Sequence, residues 1–121
     1  MTDAGIFTHM PITITRRDDG ELDVRGLAED SPLRSLVEND LVDDLDRVER
    51  ILGAVGSIRA GVLDRFDRGF DLNHLVVDAR GATIRATYDA GAGNPDLPVE
   101  LDELVEALGV LRALLVAEAA D

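Results

Sequence analysis

The sequence predicts an α+β fold in which one antiparallel sheet of two β-hairpins packs on two helices, in the order β-β-α-β-β-α. Three observations lead there. Two segments alternate apolar and polar residues with period two across a turn, the mark of half-buried strands. Two longer segments repeat their aliphatic residues at helical spacing. Each helical segment follows a hairpin, so the simplest burial is two layers around one core. At 121 residues, 45% of them hydrophobic, the chain is long enough for a single core of this kind.

Residues 1 to 10 carry no period and are expected to be a flexible leader, with one domain over 11 to 121. "ITITR" (12–16) and "LDVRGL" (22–27) alternate around the turn "RDDGE" (17–21), where Gly20 can take positive φ. "EDSPL" (29–33) starts a helix: Asp30 or Ser31 can accept free backbone N–H groups, and Pro32 suits the first turn. Leu33, Val37, Leu41, Leu45, Val48, Leu52, Val55, Val62 and Phe66 then recur at helical spacing. That spacing predicts a helix to about Arg68, stopped by Gly69. Gly53, Gly56 and Ser57 mark its weak point, because each glycine lowers helix stability by about 1 kcal/mol against alanine.

"HLVVDARGATIRATYD" (74–89) reads as the second hairpin, with residues 79–81 at its tip and Ile84, Ala86 and Tyr88 on one face. Residues 90–98 read as a loop by their Gly and Pro content. A last helix is expected over 98–120, with Pro98 near its first turn and Glu100, Asp102 and Glu103 at the positive end of its dipole. Leu101, Leu104, Val105, Leu108, Leu111 and Leu115 form its core stripe. Val110 and Leu114 fall opposite that stripe. Either the helix is covered on both sides, or these two residues form a contact in a homodimer.

The chain has no cysteine, so disulfides and thiolate metal sites are excluded. No basic-then-apolar N-terminal pattern suggests a signal peptide, and the most apolar run (107–117) is too short to span a bilayer and contains Arg112. A cytoplasmic protein is expected. The net charge of −13 argues against nucleic acid and anionic membranes and favours cationic partners. All twelve basic residues are Arg. The composition also suits a salt-adapted cell, where acidity serves solubility alone.

The acidity concentrates in "VENDLVDDLDRVER" (37–50), with six carboxylates against two arginines. Helical projection puts Asn39, Asp43, Asp46 and Arg50 opposite the apolar stripe, and Asp43–Arg47 and Asp46–Arg50 at i,i+4. A docking face is read with Asp43, Asp46 and Glu49 outermost and Asp40 at the flank; a merely solvated helix face is the bland alternative. Asp40, Asp43 and Asp44 are the candidates for a carboxylate metal site, but no calcium-loop pattern accompanies them, and no metal or cofactor is expected. His9 and His74 are the only histidines; His74, with Asp71 nearby, could act as a general base, yet no nucleophile motif accompanies it. "GAGNP" (91–95) lacks the Lys and spacing of a phosphate loop and reads as an ordinary turn.

A strand pair, a long acidic helix, then "FDRGFDLNHLVVDARGATIRATYD", a loop and "LPVELDELVEALGVLRALL" form a layout over roughly residues 12 to 117. This layout resembles small bacterial immunity proteins of interbacterial toxin systems and a related group of uncharacterised cytoplasmic proteins. The resemblance implies no catalytic residues. It implies neutralisation of a toxin by binding, with acidic side chains covering a basic active site. The expected function is therefore a non-enzymatic acidic binding protein, immunity- or antitoxin-like, that engages a basic protein through Asp40, Asp43, Asp46 and Glu49. The alternative is a small structural or regulatory homodimer joined through Val110 and Leu114. An enzyme or metal protein built on His74 is the third reading.

Overall fold

The computed structural model describes residues 11–87 and 94–120. The expected leader, Tyr88, His9 and most of the "GAGNP" turn lie outside the described residues. The architecture is α+β, with three helices and two antiparallel sheets of two and four strands among the described residues.

The first hairpin is β1 (Thr13–Arg16) and β2 (Leu22–Arg25), in register Ile14↔Val24 and Arg16↔Leu22. Period two turns Ile14, Leu22 and Val24 into the core. Gly20 takes φ +90 in the turn, and the Asp19 side chain accepts the Glu21 N–H at 2.9 Å. At Gly26 (φ +89) a Cβ would lie 2.5 Å from the Pro11 carbonyl oxygen, so this close approach requires glycine.

Helix α1 (Pro32–Ser35) begins with proline in its first turn, but the Ser31 side chain makes no cap bond. It runs directly into a π-helical turn, Leu36–Asp40, closed by Leu41 N–H to the Leu36 carbonyl at 3.1 Å. The chain then breaks at Leu41–Asp44, and α2 starts afresh as Leu45–Arg59. The expected single helix to Arg68 is thus divided, and not at its glycines. Gly53 and Gly56 sit inside α2 with open space where a Cβ would be. Burial of Val48, Ile51, Val55 and Ile58 carries the helix through them. It stops at Gly61 (φ +77): Gly61 N–H bonds the Ile58 carbonyl at 3.1 Å and Val62 N–H the Ser57 carbonyl at 2.9 Å, a Schellman motif.

Residues read as the end of that helix instead form a strand. The main sheet has the order β3-β4-β5-β6, with β3 Arg65–Gly69, β4 Asn73–Asp78, β5 Gly81–Ala86 and β6 Leu97–Val99. The β4–β5 hairpin and its tip match the sequence reading, with Asp78↔Gly81 as the last pair. Leu97–Val99, expected as the end of a loop and the start of the last helix, is a short edge strand whose Pro98 lies opposite Thr83. Asn73, Leu75 and Val77 of β4 and Ala82 and Ile84 of β5 turn to the buried face. The first hairpin remains a separate sheet, so the single two-hairpin sheet and the β-β-α-β-β-α order are corrected.

Helix α3 (Leu101–Ala119) buries Leu104, Ala107, Leu108, Leu111 and Leu115. It packs on α2 and on β1, so it is covered from two sides. Val110 and Leu114 are half-buried against the core. Of the two alternatives the sequence leaves open, this packing favours the helix covered on both sides, because the hairpin and α2 flank it.

Candidate functional site

The acidic stretch is organised by the break at Leu41–Asp44. Asp44 takes the N-cap position of α2 and accepts the Arg47 N–H at 3.0 Å. Asp43 stands in the break itself, 76% exposed, and reaches the Arg16 guanidinium at 3.0 Å. Asp46 is 73% exposed and pairs with Arg50 at 3.0 Å. Glu49 is 47% exposed and meets Arg112 of α3 at 2.9 Å. The expected i,i+4 pair therefore forms for Asp46–Arg50. For Asp43–Arg47 it does not: Asp43 precedes the helix, and Arg47 turns to Asp44 and Asp71 instead.

Arg16 is the cation that ties this region together. It contacts Glu118 at 2.8 Å, Asp43 at 3.0 Å, and the carbonyls of Gly20 and Val42 at 3.1 and 3.3 Å. Hydrogen bonding to Glu118 raises the Arg16 pKa further and holds the Glu118 carboxyl below its usual range. On the opposite side Arg47 donates to Asp71 at 3.0 Å and lies 5.4 Å from the Phe70 ring centroid.

Asp40 does not stand with these exposed carboxylates, although the sequence reading sets it at the flank of a docking face. It is 3% exposed. The π-helical turn changes the rotational phase, so the side chain that a regular 3.6-residue period places at the flank points inward. There it accepts the Leu72 N–H at 2.9 Å and the Asn73 side-chain amide at 3.1 Å. Asn73 also donates to the Ser35 hydroxyl at 3.2 Å, which Asn39 reaches at 3.2 Å from outside. Burial pushes the Asp40 carboxyl above its ordinary pKa, and the two hydrogen bonds oppose that shift. Asn73 was readable as buried, since period two puts it in line with Leu75 and Val77. Its partner was not, because that required the π turn.

Asp40, Asp43 and Asp44 diverge toward Asn73, Arg16 and Arg47, so they do not converge on one ion. Among the described residues no group of three or more His, Cys, Asp or Glu side chains is placed to hold a metal. His74 faces outward on β4. Its Nε2 lies 2.5 Å from Asp67 Oδ1, while Asp71 is taken by Arg47. His74 and then Arg65 hold the Asp67 carboxyl below its usual range. Asn94 of "GAGNP" donates to the Ala86 carbonyl at 2.9 Å.

No helix among the described residues is long and apolar enough to cross a membrane. Fold and surface together define an acidic α+β protein with a carboxylate row flanked by arginines. Comparison with known proteins goes no further: no family model matches the chain, and no curated protein or solved structure is significantly similar to it.

Proposed function

We propose that the protein acts by binding, as an acidic immunity- or antitoxin-like protein that engages a basic protein partner. The observation that supports this reading most is the outward row of Asp43, Asp46 and Glu49, each exposed and each paired with one arginine. Exposed pairs of this kind contribute about 0–1 kcal/mol. An incoming lysine or arginine can therefore replace Arg50 or Arg112 at little cost, and those arginines remain solvated. Arg16 stays held by Glu118 and the Gly20 and Val42 carbonyls, which leaves the exposed Asp43 able to turn to the partner. The row lies within residues 18 to 49, where twelve carboxylates face three arginines. A field of that sign steers a cationic partner, and the steering fades as salt rises. Asp40 takes no part in the contact; it holds the backbone that presents the row.

The test is co-purification of the partner from the native host, followed by association kinetics with Asp43→Arg/Asp46→Arg at low and at physiological salt. Rim carboxylates act mainly on the association rate, so that rate should fall, and fall most at low salt. An unchanged rate and affinity would mean that the row only keeps the helix in water.

A further inference from the structure

We propose that β3 is a self-pairing edge: two copies of the chain join antiparallel through Asp64–Arg68, with the two-fold axis at Phe66, and extend the four-stranded sheet into one continuous sheet of eight. This interface is separate from the acidic row, so neither proposal depends on the other.

The backbone comes first. β3 pairs with β4 on one side and, among the described residues, is the edge of its sheet on the other. Phe70 N–H donates to the Asn73 carbonyl at 2.8 Å, which makes Phe70–Asn73 a hydrogen-bonded pair. In an antiparallel ladder such pairs alternate. With the register Phe66↔Val77 and Arg68↔Leu75, the backbone groups of Phe66 and Arg68 face β4. Those of Arg65 and Asp67 face away from the sheet and are open to a further strand. The Val62 and Leu63 N–H groups both go to the Ser57 carbonyl, so the open ladder begins only at Asp64.

The side chains then select the partner. A symmetric antiparallel pair keeps each residue on its own face of the sheet, so the axis must pass through a residue. With the axis at Phe66 the sequence Asp-Arg-Phe-Asp-Arg meets itself with every charge answered. Asp64 lies opposite Arg68, Arg65 opposite Asp67, and Phe66 opposite Phe66. Arg65 and Asp67 are the residues with outward backbone groups, so their two cross-pairs supply the hydrogen bonds. Phe66 falls at the closer, non-bonded site, where two rings gain most contact. Moving the axis to Asp67 sets carboxylate against carboxylate and removes the match. The strand is thus complementary to itself, the requirement for a closed two-fold contact.

Burial agrees. Four of the five β3 residues are exposed, and Phe66 is half-covered. Just before the strand stand Val62, 81% exposed, and Leu63, 38% exposed, two of the four exposed large hydrophobic residues among those described. The same register brings them beside Phe70 and Gly69 of the second copy. The opposite edge is closed to such pairing, because β6 has three residues and carries Pro98.

The experiment is sedimentation of the full chain over a wide concentration range, with Asp64→Arg/Asp67→Arg and Arg65→Asp/Arg68→Asp prepared separately. Wild type should reach twice the monomer mass. Each charge-reversed variant should stay at monomer mass alone, and an equimolar mixture should recover the doubled mass, since all-Arg and all-Asp edges complement each other. Arg65→Pro removes one outward N–H and no bond of the β3–β4 ladder, and should also weaken the dimer. Amide exchange on wild type gives an independent reading should a variant misfold: the Arg65 and Asp67 N–H groups should slow as concentration rises. A wild type that stays monomeric into the millimolar range overturns the proposal. So do variants that each dimerise unchanged, or protection that develops on α3 and not on β3.

Discussion

The buried side chains of Asp40 and Asn73, 33 positions apart, meet at 3.1 Å and join the helical layer to the first residue of β4. Asp40 also holds the Leu72 N–H, so one carboxylate fixes the end of the β3–β4 turn against the π-helical segment. Asp40→Ala leaves that N–H and the Asn73 amide short of an acceptor. An unsatisfied buried donor costs about 1–3 kcal/mol. Urea unfolding of Asp40→Ala should therefore show a loss of at least about 2 kcal/mol, with the slope unchanged.

The same residue predicts an inverted pH response. The Asp40 pKa is raised in the folded protein, so folding takes up a proton there. Its contribution to stability is fully present below the unfolded-state pKa and is lost as pH rises through the folded one. Glu118 and Asp67, both lowered, behave oppositely: their contributions are present above the ordinary carboxyl range and vanish on acidification. Asp40→Asn removes only the first of these. Measured from neutral pH downward, wild type should gain stability relative to Asp40→Asn, while both lose stability in absolute terms. A constant difference between the two curves would show that burial does not govern Asp40.

Three glycines divide into two opposite predictions. Gly53 and Gly56 lie inside α2 with nothing within 4 Å of where a Cβ would stand, so alanine at either should stabilise by about 0.5–1 kcal/mol. Gly61 has equal space but φ +77, and alanine there should cost about 1–2 kcal/mol. Thermal melts of the three single variants decide this by sign alone.

These glycines also show how far the sequence could be read. Period two located both hairpins, since β1–β2 and β4–β5 alternate cleanly across short turns. Period 3.6 located α3 and most of α2. The break at Leu41–Asp44 was hidden because a π turn absorbs one extra residue without any breaker in the sequence, and Asp40 was misplaced with it. β3 was hidden because its one large apolar residue, Phe66, sits at helical spacing from Val62 and its other residues are charged or Gly. β6 has only three residues, one of them proline. Which strand edges would pair is a tertiary choice, and local alternation does not encode it. For the carboxylate row, charge density was legible, whereas the arginines that answer it from β1 and α3 were not.

The last prediction concerns Val110 and Leu114, which the sequence offers as a dimer contact and the fold half-covers from within. A residue packed inside its own chain and one packed on a second copy both lose stability when truncated, so the size of the loss does not separate them. Protein concentration does. For a contact within the chain, wild type and Leu114→Ala respond to concentration alike, so the cost of the substitution is the same at every concentration. For a contact between copies, the apparent stability follows mass action, and the cost grows with concentration as the wild type dimerises. Half-burial of Leu114 sets the expected loss below the 2–5 kcal/mol of a full core leucine, at about 1–2 kcal/mol. Val110→Ala should lose less, having fewer atoms to remove. Both losses should hold steady across a hundredfold range of concentration, and Val110→Asp/Leu114→Asp should lower the melting temperature without changing the β3-dependent mass. A loss that rises with concentration would return the interface to α3, and with it the homodimer that the outward aliphatics of that helix first suggested.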